Sequence, residues 1–397
     1  MPNYRAHTLF GFLLAALLAG VVTACVPVTA PATSVELGDA ATPAKSSTTE
    51  DPAVANPDAD SLAVGIVLPS QYVYWTRNAA QLAEQLAAAN LSTEILYSQE
   101  SSATEKTNVE TLLAKGAKVI LITPVDAEAA AAAAEAAKAG GAHVIAYDRL
   151  IRGTDAVDFY VAFDNNAVGA AQAQYLVDAA TGAGNPLYLY AGATFDNNAF
   201  QFFEGAWSVL QPKIADGTFV VENSSAAADF QGHATLTSGE MAEILDQITT
   251  NWDLYDAESM ALADLESAPP DGKDKVFVLA PNDGIARTIA KVFADDPNVT
   301  SYVITGQDGD RESIQFIIDG MQSMTVLKDV RKLAAMAVGA ASAFVDGQAP
   351  PTTATFNNGV IDVPANPAAV TVVDRTNVKD AIIDSGYYPA GDFTGLD

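Results

Sequence analysis

Cysteine occurs once in this 397-residue chain and histidine three times, and 20 basic residues face 49 acidic ones. Each scarcity removes a class of function. A single cysteine, Cys25, excludes an internal disulfide framework and a cysteine-rich metal site. His7 falls in an apolar leader, His143 starts a strand and His233 stands alone, so neither a metal-ligand set nor a Ser-His-Asp arrangement is suggested. At a formal charge of -29 the chain lacks the basic stripes that nucleic acids require, and its folded body has no attraction to an anionic bilayer. No Walker motif is present, and no GxGxxG opens a helix after the first strand. "GQDGD" (306–310) has the look of a calcium loop but lacks the glycine and closing glutamate at the required offsets. No cofactor and no metal is therefore expected. What remains is 49% hydrophobic and 17% charged, the composition of a folding globular chain long enough for two cores.

The N-terminus reads as a targeting segment. Arg5 and His7 precede "LFGFLLAALLAGVV", too short to span a membrane and shaped like a secretory leader. It ends in "VTAC" (22–25), which resembles the lipobox of bacterial lipoprotein signals and implies a lipid on Cys25, the mature N-terminus. Residues 26–61, rich in Pro, Ala, Thr, Ser and Asp, cannot bury enough apolar area to order themselves and read as a flexible tether. The expected location is extracytoplasmic, held to the membrane by lipid alone.

From residue 62 onward, short apolar runs alternate with helical segments: "LAVGIVL", "STEILYS", "AKVILIT" and "HVIAY" with helices between, then "PLYLYAG", "GTFVVEN", "KVFVLAP" and "TSYVITGQ" in a second block. This spacing predicts right-handed βαβ units and doubly wound parallel sheets in two lobes of similar build. The acidic, proline-containing stretch 253–274 reads as a surface insertion.

Ligands of such sheets bind beyond the carboxyl ends of the strands. There the sequence places Trp75 and Arg77, then Asp148 and Arg149, then Asp196 and Asn198, then Asn282, then Gln307 and Asp308, and finally Lys328. Taken singly, Asp164, Asp196 or Asn282 before a helix is a cap. Together these groups offer donors and acceptors in the pattern a sugar needs, because each hydroxyl both gives and accepts a proton and an indole can cover a C–H face.

"VIAYDRLIR", "DFYVAFDNNAVG", "FDNNAFQFFEGAWSVLQP", "NDGIA", "GQD", "LKDVRKLA" and "DSGYYP", in this order over 62–390, resemble the type I periplasmic sugar-binding proteins of the xylose-binding and multiple-sugar-binding kind. The resemblance implies two Rossmann-like lobes joined by three hinge crossovers near 163–165, 326–329 and 353–356. The lobes would be 62–164 with 329–354, and 165–328 with 355–397. It implies Trp75 as a stacking platform, with Asp148, Arg149, Asn198, Asn282, Asp308 and Lys328 as ligand contacts. Arg77 would stand in for the family's basic residue near the first strand. The family's "RW" is here Tyr74-Trp75, and its second tryptophan, sought near 238, is missing there; either Phe195, Phe200 or Phe230 covers the other sugar face or the pocket has a single platform. The function implied is capture of a monosaccharide of the xylose, arabinose, galactose or glucose type by a monomer that delivers it to an ABC transporter permease. A chemotaxis or signalling sensor is the alternative. A transcription regulator is opposed by the lipobox, and a sugar-modifying enzyme by the absence of a base, metal or phosphate site.

Overall fold

The computed structural model describes residues 61–396; Cys25, the leader 1–25 and the tether up to residue 60 lie outside the described residues. Among the described residues no helix is long and apolar enough to cross a membrane.

The strands are β1 (Val64–Leu68), β2 (Thr93–Tyr97), β3 (Val119–Ile122), β4 (His143–Tyr147), β5 (Phe159–Phe163), β6 (Asn185–Leu189), β7 (Phe219–Val221), β8 (Lys275–Leu279), β9 (Ser301–Ile304), β10 (Met324–Leu327), β11 (Ala354–Asn357), β12 (Asp362–Ala368) and β13 (Thr371–Asp374). The helices are α1 (Val73–Ala88), α2 (Ser102–Ala114), α3 (Ala131–Ala139), α4 (Asn165–Ala179), α5 (Asn197–Ala215), α6 (Ser225–Asp229), α7 (Ser238–Ile248), α8 (Leu254–Ser267), α9 (Asp283–Asp295), α10 (Arg311–Asp319) and α11 (Val330–Val345).

In the first lobe the strand order is β11-β12-β5-β4-β3-β1-β2, parallel except for the β11 edge. Strands β1, β3 and β5 are buried along their whole length, as strands covered on both faces must be. Alternation decides which side chain meets which layer. Val64, Ile66 and Leu68 pack with α1 and α11, whereas Val67 faces α2 and α3. The second lobe repeats the plan with β7-β6-β8-β9, and β10 continues this sheet through a parallel bridge from Gln307 to Val326.

The chain passes between the lobes at three places: β5 to α4, β10 to α11, and β12 to β13. The third differs from the sequence expectation. Residues 355–368 belong to the first lobe, because β12 pairs with β5 from Ala365↔Tyr160 to Ala368↔Phe163 and β11 folds back on β12. The crossover therefore lies at 368–371 and not at 353–356. Asn358 fixes this hairpin: its Oδ1 accepts from the backbone N–H of Val360 and of Ile361, and its amide donates to the carbonyls of Ile151 and Thr154. The stretch 253–274 is also not an insertion. It forms α8, whose Ala257, Ala261 and Leu265, four residues apart, are buried in the second lobe's core alongside α9.

Helices α4 and α5 cross at backbone contact. A Cβ on Gly169 would lie 1.8 Å from the carbonyl oxygen of Phe202, and one on Gly205 would lie 2.0 Å from that of Asn166. The contact seats the N-terminal turns of α5, which carry Asn198 and Phe202, against the first crossover. Gly169→Ala is expected to lower stability by about 1–3 kcal/mol through this clash. Gly339→Ala, on an open helical face of α11, is expected to raise it by about 0.5–1 kcal/mol. Urea denaturation of the two variants reads the difference in sign.

Candidate ligand-binding site

A cavity of about 280 Å³ opens where the carboxyl ends of the two sheets face each other. The first lobe contributes Tyr74 and Trp75 from the start of α1 and Asp148 and Arg149 from the end of β4. The second contributes Asn198, Trp252, Asn282 and Asp308, and Lys328 comes from the second crossover. Seven of the eight expected site residues therefore line one space.

Two of its carboxylates sit on strained backbone. Asp148 has φ 64 and Asp308 φ 102, conformations that cost on the order of 1–3 kcal/mol and persist only where neighbours enforce them. For Asp148 they do: its N–H donates to the carbonyl of Val161 at 2.7 Å, and its own carbonyl accepts from Tyr160 at 3.0 Å and from the Asn198 amide at 3.1 Å. For Asp308, the N–H donates to Val326 at 3.0 Å, and Gly309 follows at φ 66. Each strand end is thereby bent to aim a carboxylate into the cleft.

The polar groups are wired across it. Tyr74 donates to Asp148 Oδ2 at 2.6 Å; burial, then the Asp148 charge, hold its hydroxyl well above the usual phenol range, so it remains a donor. Lys328 Nζ lies 3.8 Å from Asp148 and 3.4 Å from Asp308. Burial pulls its pKa down, but the carboxylates of Asp148, Asp308 and Asp196 outweigh that and keep it above the usual lysine value. Burial pushes Asp308 up to about 7, with Lys328 opposing the rise and Asp310 and Asp148 adding to it. Arg149 Nε pairs with Asp196 at 2.9 Å, and its guanidinium lies 5.2 Å from the Trp75 ring centroid.

The caps read from the sequence are also real. Asp164, Asp196 and Asn282 accept from the backbone N–H of Ala167, Asn198 and Ile285, while Asp196 and Asn282 line the cavity as well. Capping and site roles coexist because the helix N-termini themselves surround the cleft.

Two expectations are corrected. Arg77 does not line the cavity; its guanidinium reaches Asp310 and Tyr387 instead. The second indole is Trp252, directly before the N-cap Asp253 of α8, rather than a residue near 238. It takes a left-handed backbone, φ 60, and occupies a slot left open by Gly192, where a Cβ would lie 2.0 Å from the indole. Phe195 lines the cavity, whereas Phe200 and Phe230 pack against the second lobe's core. The sequence reading also missed Tyr74 and Phe202 as lining groups. The signal for Trp252 was a large aromatic placed against a helix cap.

Behind the site, Glu105 is fully buried on α2 and accepts the Val125 N–H at 2.7 Å. This fixes the loop whose Pro124 carbonyl accepts from Arg149 at 3.2 Å. Oε1 of Glu105 finds no partner among the described residues, and burial pushes the carboxyl up to about 7. From about pH 4.5 to 7 the folded state holds a proton that the unfolded chain releases, so the stability this group contributes is lost as pH rises through that window. Glu105→Gln should flatten the slope of melting temperature against pH there and gain about 1–3 kcal/mol at pH 8; thermal melts across pH 4–8 measure both.

The sequence profile described as "Periplasmic binding protein domain" matches residues 64–349. The chain is 34% identical to the "Multiple sugar-binding periplasmic protein SbpA" of Azospirillum brasilense over 346 residues, 84% of this chain and 92% of that one. It superposes on a carbohydrate transporter solute-binding protein of Chloroflexus aurantiacus, solved with D-glucose, at a TM-score of 0.84 and 59% identity, covering 85% of this chain and 99% of that one. An ABC transporter solute-binding protein of Clostridium phytofermentans with bound β-D-glucose matches at a TM-score of 0.73 and 29% identity, over 83% and 99% of the two chains. With two α/β lobes, three crossovers and a cleft at the strand ends, this chain belongs to the periplasmic binding protein family, in its type I architecture.

Proposed function

We propose that this protein captures a monosaccharide, glucose or a close relative, between its two lobes and hands it to an ABC transporter permease from the outer face of the membrane. The observation that carries the reading is the composition of the cleft. Two indoles, one from each lobe, accompany carboxylates, amides, a guanidinium and an ammonium in about 280 Å³, a volume at the small end for ligand pockets and suited to a single sugar ring. Trp75 and Trp252 cover the apolar C–H faces. Asp148, Asp308 and Asn198 accept from hydroxyls, while Arg149, Lys328 and the amide of Asn282 donate to hydroxyl or ring oxygens. Gln307 lines the cavity as well, with its amide donating to the Pro281 carbonyl. Glucose in the cleft of a relative 59% identical supports the choice of sugar.

Binding and closure are the whole activity; no bond is made or broken. A sugar lacking one of the matching hydroxyls leaves a buried polar group unpaired, which is costly, so the site discriminates between epimers. Cys25, acylated at the new N-terminus, would keep the receptor at the membrane as a monomer.

Isothermal titration with glucose, galactose, xylose, arabinose and ribose is expected to give micromolar or tighter binding to glucose, and no heat from any of the five would end this reading. Arg149→Ala should raise the Kd at least about a hundredfold by leaving Asp196 unpaired in the closed cleft, while the melting temperature without sugar changes little. Cys25→Ser should shift the protein from the membrane fraction to the soluble fraction on cell fractionation.

A further inference from the structure

Arg77, excluded from the cavity, stands at an interface between the lobes. It lies two residues beyond Trp75 on α1, in the first lobe, and all of its polar partners come from the second. Nη1 donates to Asp310 Oδ1 at 3.2 Å, and Nη2 donates to the hydroxyl of Tyr387. The guanidinium carbon sits 5.1 Å from the Tyr387 ring centroid and 5.3 Å from that of Tyr388. Tyr387 is also held from its other neighbours. Arg331, on α11 of the first lobe, lies 4.9 Å from the same ring and donates to the Ser385 carbonyl at 3.2 Å. The C-terminal segment carrying Ser385 and Tyr387 packs on the second lobe through Ile382 and Tyr388.

We propose that Arg77, Asp310 and Tyr387 form a latch that holds the two lobes closed over the ligand without touching it. The placement of these residues couples them to binding. The loop before α10 turns Asp308 into the cavity and, two residues later, Asp310 into the latch. On the facing side α1 turns Trp75 into the cavity and Arg77 into the latch. One helix and one loop therefore meet at two points, the first completed by sugar and the second by protein alone. Asp310 is anchored within its own lobe by Arg287 at 3.6 Å, so its carboxylate is in place before closure. Its side chain is 3% exposed and that of Arg77 19%, which removes the ion pair from full solvent screening. Ligand affinity is reduced by whatever fraction of the protein is not in the closed state, and contacts made only on closure raise that fraction.

The inference rests on the proposed sugar-binding reading for its affinity effect but not for its conformational effect, and one experiment separates the two. Fluorophores placed on opposite lobes report the closed fraction of wild type, Arg77→Met and Tyr387→Phe, with and without glucose. The latch predicts a smaller closed fraction in both variants under both conditions. It also predicts about a tenfold higher glucose Kd for Arg77→Met, with the rank order of sugars unchanged. Asp310→Asn added to Arg77→Met should weaken binding far less than it does alone, as expected for partners in one interaction. Equal closed fractions in wild type and both variants would overturn the latch, and so would a changed rank order, because that would mean Arg77 reads the sugar. A wild type that binds none of the sugars yet still differs from Arg77→Met in closed fraction would sink the sugar reading and leave the latch standing.

Discussion

A lysine ammonium can be buried only where opposite charge meets it, and Lys328 is the point on which the cleft depends. It lies on a crossover between the lobes and is 5% exposed, with Asp148 of the first lobe and Asp308 of the second both within 4 Å. The desolvation cost of an isolated buried cation is several kcal/mol; here two carboxylates offset it, one from each lobe. Either lobe alone would supply one of these two partners. The same logic governs Arg149 and Asp196, a cation from the first lobe paired with an acid from the second. Closure thus assembles ion pairs out of groups that neither lobe could bury alone, and a ligand of hydroxyls can enter because each charge retains donor or acceptor capacity beyond its partner.

Position along the sheets explains why so much of this site was legible in the sequence. A parallel strand buried on both faces must be an unbroken apolar run, so its end is visible as the first polar residue, and ligands meet that end. Asp148, Arg149, Asn198, Asn282, Asp308 and Lys328 were found this way. Arg77 was misassigned because the rule stops working inside a helix. Two positions beyond Trp75 on α1 the side chain points about 200° away, out of the cleft and toward Asp310. Trp252 was missed for a compositional reason: acids and prolines around α8 hid the four-residue spacing of Ala257, Ala261 and Leu265 that marks a packed helix. The last crossover was misplaced because both lobes are built alike. A strand such as β12 carries no local mark of which of two similar sheets it will join, and only its pairing with β5 decides.

Close backbone contacts lie beside this centre. The glycine crossing of α4 and α5 leaves no room for either helix to slide, and the Asn165 amide at the first crossover donates to Asn198 Oδ1 at 2.9 Å. The floor of the cleft and the first crossover are therefore packed directly together. Compliance is left to the crossovers themselves, as in hinge closure, where a few residues at element ends absorb the change.

The placement of β12 has a consequence for how the chain is made. The first lobe begins near residue 62, yet its sheet is completed only when β12 docks on β5 and α11 covers the face beside α1. During synthesis from the N-terminus, a nascent chain of two hundred or even three hundred residues still has an open sheet edge and an uncovered apolar face, and the second lobe waits for β13 in the same way. Neither lobe can finish folding early. A chain threaded between its halves in this manner leaves both lobes incomplete until almost all of it has been made.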